Sequence, residues 1–261
     1  LDRLMTEDDR IVVVEADLSR SLGSQPLAAR HPGRFFDLGI AEQNLVAVAS
    51  GLAIGSDLIP FAHTFAPFMS RRAFDQITVS VGFAQANVKL VGSDPGLSAE
   101  INGATHMCFE DIAALRAVPG LSIVEAADAY QLAALLPVIA RYVGPVYLRL
   151  FRKDLPALYA PDCRFTLGQA DVLRPGTDCT LVGSGIMVYY ALEAAKLLEN
   201  RGISARVLNL ATIKPLDEAA ILAAARETGA LVTCENHNVL GGLGAAVCEV
   251  VCAHCPRSEE H

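Results

Sequence analysis

The chain alternates short, unbroken apolar runs with longer segments of helical periodicity. Ile11-Val12-Val13-Val14 is apolar at successive positions, the pattern of a parallel strand covered on both faces. Similar runs predict strands at 35–36, 58–61, 88–91, 122–125 and 146–149, with helices over 42–53, 67–81, 110–116 and 130–142. Pro156, Pro161 and the polar residues between Arg152 and Thr166 mark a linker. A second alternation follows, with strands at 180–183, 205–208 and 231–234 and helices over 188–200, 217–227 and 243–253. This order predicts an α/β fold of two doubly wound, mostly parallel-sheet domains, residues 1–157 and a smaller 158–261. No internal repeat breaks it. Ligands of such sheets gather at the carboxyl ends of the strands, so the loops after Val14, Phe36, Phe61, Val91 and Leu148 hold the candidate chemistry. Leu1 to Met5 reads as the tail of a helix, and the chain stops just after a helix with no closing strand. Both ends are therefore expected to be cut.

Composition narrows the class. A hydrophobic content of 52% against 19% charged residues predicts a filled core, far from a disordered composition. A net charge of −8, with no cluster of lysines and arginines, argues against a nucleic-acid surface. No signal peptide and no apolar run of ~20 residues point to a membrane. The seven cysteines have no framework spacing, and the Cys252-x-x-Cys255 pair has no second pair to complete a metal site. They are read as free thiols in a reducing cytoplasm.

Glu42 is the most informative residue. It lies in Asp37-Leu38-Gly39-Ile40-Ala41-Glu42-Gln43-Asn44, ahead of an uncharged stretch over 45–53. A carboxylate at the mouth of a helix so small and apolar is expected to be buried, which is costly unless something meets it. Its plain reading is a first-turn glutamate stabilised by the helix dipole. Gly241-Gly242-Leu243-Gly244 opens the last helix and superficially resembles a phosphate loop, although helix–strand packing accounts for it better.

Several motifs occur in order: the Glu42 element; Thr64-Phe65-Ala66-Pro67-Phe68 with Arg72-Ala73-Phe74-Asp75-Gln76; Asn102-Gly103-Ala104-Thr105-His106; Phe151-Arg152-Lys153-Asp154-Leu155-Pro156; and Glu235-Asn236-His237-Asn238. Together they resemble the C-terminal half of transketolases, in the form encoded as a separate subunit. The resemblance implies a thiamin-diphosphate pyrimidine-binding domain followed by a transketolase C-terminal domain. It makes Glu42 the catalytic acid that shares a proton with the aminopyrimidine, and His106 a catalytic residue at the substrate oxygens. Phe65 and Phe68 become the wall on which the ring stacks, with plain core packing as their alternative. Asp17 either contacts cofactor bound mainly to a neighbouring subunit or N-caps the next turn. Ser21 aligns with a serine that touches substrate phosphate. His63 either reaches the same pocket or is a satisfied interior histidine. Arg152 aligns with a phosphate-binding arginine, a role suited to its bidentate fork, or is a surface ion-pair partner. Arg72 to Gln76 is assigned to a dimer or domain contact.

The chain departs from the usual pattern at two substrate positions. Asn102 stands where transketolases carry aspartate, and Asp94 where they carry histidine. Asp94 adds a negative charge where an anion is expected, so altered substrate selection follows, toward a non-phosphorylated or differently substituted ketose. The Gly-Asp-Gly element for the diphosphate is absent from the sequence, so no metal site is expected within this chain. An N-terminal transketolase subunit would supply that half together with Mg²⁺ or Ca²⁺, in a heterotetramer with two copies of each chain. The rival readings are a β subunit of a 2-oxoacid dehydrogenase, a 1-deoxyxylulose-phosphate synthase, and a non-catalytic partner subunit.

Overall fold

The computed structural model describes residues 1–256. Among them the strands are β1 (Ile11–Glu15), β2 (Phe35–Asp37), β3 (Ile59–Phe65), β4 (Lys89–Ser93), β5 (Ser122–Glu125), β6 (Val146–Leu150), β7 (Asp171–Arg174), β8 (Cys179–Gly183), β9 (Ala205–Asn209), β10 (Thr212–Lys214) and β11 (Leu231–Cys234). The larger sheet has seven strands in the order β10-β5-β6-β4-β3-β1-β2, parallel throughout except for β10. The smaller has four, β11-β8-β9-β7, with β7 antiparallel. The expected pair of doubly wound, mostly parallel sheets is what forms.

All of β1 is buried, as its unbroken apolar run requires. Successive side chains face opposite ways. Val14, Ala62, Leu90 and Tyr147 therefore join a core shared with the helix Glu42–Gly55, while Val13, Phe61, Val91 and Leu148 join the core on the other face, with the helix Ala129–Arg141. Each buried Val, Leu or Phe among them stabilises the fold by about 1.5–3 kcal/mol relative to exposure.

Two edge strands go beyond what the apolar pattern predicts. β7 carries Asp171 and Arg174 and closes the smaller sheet. β10 lies well past the linker yet pairs with β5, Thr212 opposite Val124. Lys214 reinforces the crossing, its Nζ donating to the carbonyls of Arg116 (2.8 Å) and Val118 (2.6 Å). The helix expected over 67–81 is instead a pair of wide π-helical segments, Phe68–Arg72 and Ile77–Phe83, around a short helix Phe74–Gln76. Such turns concentrate at functional sites. At the N-terminus the expected helical residues belong to Asp2–Glu7, and the expectation about the tail beyond Pro256 lies outside the described residues. The cysteines are free thiols. Among the described residues, no helix is long and apolar enough to cross a membrane.

Lys89 is fully buried at the start of β4, its Nζ donating to Asn87 Oδ1 and to the carbonyls of Tyr142 and Gly144 at 2.7–2.8 Å. Burial lowers its pKa to about 7. Between that value and the ordinary value of about 10.4, the unfolded chain binds the extra proton, so stability rises with pH. Relative to Lys89→Met, the chain should gain up to about 1.4 kcal/mol per pH unit in that window. Urea unfolding of both proteins at pH 7 and pH 9 checks this; parallel pH profiles would contradict it.

Candidate active site

The strand ends of the larger sheet bring the candidate residues to one edge. Past β1, Asp17 adopts φ 59°, a left-handed conformation that costs a non-glycine residue of order 1 kcal/mol and concentrates at functional sites. It is held there by its amide, which donates to Asp37 Oδ1 at 2.9 Å, an oxygen that also accepts from Gly39 N at 3.1 Å. The following helix, Ser19–Leu22, is capped by Leu18 without a side-chain bond. Asp17 is therefore no N-cap, and its carboxylate is exposed at the rim.

Glu42 opens the helix Glu42–Gly55 and is only 5% exposed, as its apolar surroundings predict. The group that meets it is Arg72, whose Nη1 donates to Oε1 at 2.7 Å. The same guanidinium lies flat against Phe68, its Cζ 3.8 Å from the ring centroid. Within this chain the Arg72 head group reaches the buried carboxylate, a contact beyond the dimer or domain contact expected of it. The signal existed in the sequence: a buried acid demands a partner, and Arg72 follows Phe68 by one helical turn. Its neighbour Arg71 turns away to pair with Glu110 and to donate to the Met107 carbonyl at 2.8 Å.

Phe65 ends β3 and is buried. Its centroid lies 5.8 Å from that of Phe68 and 5.5 Å from the His106 ring, and Phe68 and His106 are 5.1 Å apart. The three rings meet edge to face, a favoured geometry worth ~1 kcal/mol per pair. The His106 Nδ1 is within 2.9 Å of Thr105 Oγ1. On the far side, Arg152 places its Cζ 5.2 Å from the Phe65 centroid. Glu42, Arg72, Phe68, His106, Phe65 and Arg152 are thus linked in one continuous chain of contacts.

Asp94 also takes a positive φ, 53°. Its carboxylate is buried and forms an ion pair with Arg152, while Oδ1 accepts from the Arg152 amide at 3.2 Å. The charge expected to repel an anion has a partner, and it aims the arginine. Arg152 remains 42% exposed and donates through Nη1 to the carbonyl of Ser21 at 2.7 Å. Ser21 enters through its backbone, and its side chain is exposed. Asn102 is exposed beside these groups in sequence and makes no contact with the ring cluster among the hydrogen bonds described.

His63 is a satisfied interior histidine. Its Nδ1 lies 3.1 Å from Glu15 Oε1 and its Nε2 2.8 Å from Ser93 Oγ, so neither nitrogen is free for a ligand. The Gly241-Gly242 loop is no phosphate site either. The amides of Leu243 and Gly244 at the start of the last helix donate to the Glu235 carboxylate at 2.6 and 2.9 Å, which occupies the anion-binding end from within.

The carboxyl edge of the larger sheet thus gathers a buried glutamate beside aromatic side chains that meet edge to face. The transketolase pyrimidine-binding domain family matches residues 1–157, and the transketolase C-terminal domain family matches residues 168–258. The chain belongs to the transketolase family. It is 48% identical to the 6-deoxy-6-sulfo-D-fructose transketolase subunit SqwH of Clostridium sp. (strain MSTE9), over 96% of this chain and 77% of that protein. It is 40% identical to one of the subunits of the apulose-4-phosphate transketolase of Phocaeicola vulgatus, over 95% of this chain and 80% of that protein. A solved split-gene transketolase, described as an inactive β4 tetramer, superposes with a TM-score of 0.90 at 44% identity, covering 98% of this chain and 83% of that one.

Proposed function

We propose that this chain is one of two unlike subunits of a transketolase, and that the assembled enzyme moves a two-carbon glycolaldehyde unit from a ketose to an aldose. One observation carries the reading: the buried Glu42 carboxylate opens a helix beside the cluster of Phe65, Phe68 and His106. Thiamin diphosphate is the cofactor the family implies, and these residues fit its pyrimidine half. The guanidinium of Arg72, planar and N–H-donating, already lies on Phe68 and donates to Glu42. The niche therefore suits a flat, nitrogen-rich ring.

When bound, the cofactor supplies an acidic thiazolium carbon that adds to carbonyls and carries the transferred fragment. Glu42 would hold and return a proton at the pyrimidine nitrogen it faces. Phe65 and Phe68 would wall the ring in and keep water away. His106 would bond the sugar's oxygens. Arg72, 48% exposed, would move off Phe68 as the ring enters. The diphosphate and its Mg²⁺ or Ca²⁺ fall to the N-terminal subunit, and Asp17 would reach across to cofactor held there. Two copies of each subunit make the heterotetramer. Mixing the two subunits with cofactor and metal should yield two-carbon transfer, with no turnover from this chain alone. Decarboxylation of a 2-oxoacid by the mixture would assign it to the dehydrogenase class instead.

The relatives' names specify sugars with an anionic substituent, a sulfonate in one and a phosphate in the other. Arg152 is the group here to read such a substituent. Because Asp94 cancels its charge, a singly charged sulfonate would meet less unfavourable potential than a doubly charged phosphate. Arg152→Ala should raise the KM for a sulfonated ketose about 10- to 100-fold, the loss of one charge-assisted contact. Asp94→Asn should move selectivity toward phosphate. Steady-state kinetics with 6-deoxy-6-sulfofructose and xylulose 5-phosphate read both. Equal use of the two sugars by the unmodified enzyme would remove the selectivity claim.

A further inference from the structure

The Glu235-Asn236-His237-Asn238 motif lies in the C-terminal half, yet its side chains grip the loop that carries the sugar-binding candidates. While Glu235 caps the last helix, Asn236 is 8% exposed and reaches the other domain with every polar group of its side chain. Its Nδ2 donates to the Pro95 carbonyl at 2.9 Å and to Ser98 Oγ at 3.0 Å, and its Oδ1 accepts from Leu97 N at 2.8 Å. Its own carbonyl accepts from Arg149 Nη2 at 2.7 Å, which ties it to β6, the strand leading to Arg152. Asn238 holds the far end of the same loop, donating through Nδ2 to the Phe109 carbonyl at 2.6 Å.

Gly96 shows how close the approach is. It has φ 58°, and a Cβ there would lie 2.1 Å from Asn236 Oδ1. The clamped stretch begins beside Asp94, which aims Arg152, and runs on to Asn102 and His106. We propose that Asn236 is a positioning residue for substrate recognition: by clamping residues 95–98 it holds Asp94, and through Asp94 the Arg152 guanidinium, in the geometry that reads the ketose. The C-terminal domain would thereby set the affinity for sugar without touching it. The sugar part of this inference rests on the transketolase reading above; the clamp itself does not.

The test has two arms. In the isolated chain, Asn236→Ala should speed hydrogen exchange of the amides over 95–103 about ten-fold or more, with those of the helix Met187–Glu199 unchanged. In the assembled enzyme the same change should raise the KM for the ketose about ten-fold and leave kcat within about two-fold. Gly96→Ala should reproduce the effect from the opposite side, and it carries the test if Asn236→Ala does not fold. Unchanged exchange over 95–103 would overturn the clamp. A fall in kcat at constant KM would overturn its role in recognition. If the unmodified assembly transfers no two-carbon unit, the functional reading fails, and the exchange arm still decides the clamp.

Discussion

Glu42→Gln in the assembled enzyme should lower turnover by about 10²–10⁴-fold, the range for loss of a positioned acid–base group, while assembly and cofactor affinity change little. The substitution is chosen for its shape. Glutamine keeps an oxygen to accept from Arg72, which now donates to Oε1 at 2.7 Å, and it fills the same buried volume at the head of the helix Glu42–Gly55. What it removes is the ability to give and take a proton. If Glu42 served only to anchor Arg72 or to cap the helix, glutamine would be almost neutral, and turnover near that of the unmodified enzyme would return Glu42 to a structural role. A parallel measurement of assembly, by analytical ultracentrifugation of the mixed subunits, keeps a packing defect from being read as lost chemistry.

The second large effect concerns stability. Arg149, fully buried on β6, donates through Nε to Asp111 Oδ2 at 2.8 Å and through Nη1 to Glu125 Oε1 at 2.9 Å. Tyr147 and Ser184 donate to the same two carboxylates, each at 2.8 Å. Burial opposes the charge on Arg149, but Asp111 and Glu125 outweigh it and raise its pKa above the ordinary arginine value. Arg149→Met keeps much of the volume and leaves two buried carboxylates without their counterion. Breaking a buried pair from one side costs roughly 3–5 kcal/mol, so the urea midpoint should fall sharply. Replacing Asp111 and Glu125 by apolar residues as well should recover only part of the loss, because it removes both orphaned charges but leaves the Tyr147 and Ser184 hydroxyls and the Asn236 carbonyl without these partners. A midpoint unchanged by Arg149→Met would contradict this description of the core. The same side chain holds the Asn236 carbonyl, so a destabilised Arg149 variant should also loosen the 95–98 loop.

What the sequence disclosed, and what it hid, follows from the range of the forces involved. The central strands were legible because Ile11-Val12-Val13-Val14 and its counterparts are buried on both faces, and burial is written directly into composition. β10 was not, since Thr212, Ile213 and Lys214 read as loop until β5 offers them an open edge. The burial of Glu42 followed from its neighbours along one helix. The partner of Glu42 was harder, because Arg72 approaches from a different element and only the wide π-helical turn brings it over Phe68. Asp94 shows the same limit. Its charge was readable, but the arginine that cancels it comes from the end of β6, 58 residues on. His63 has the sequence position of a pocket residue, near the end of a central strand, yet it is held between Glu15 and Ser93 on adjacent strands. The linkage between Asn236 and the 95–98 loop joins groups about 140 residues apart and leaves no local trace beyond a glycine at position 96.

The most direct test follows the hydrogen on the thiazolium carbon of thiamin diphosphate, by proton NMR after rapid transfer of the assembled enzyme into heavy water. A relay through the helix-opening carboxylate predicts exchange slowed by at least about 100-fold in Glu42→Gln, at equal cofactor occupancy. Exchange as fast as in the unmodified enzyme would mean that this side chain moves no proton.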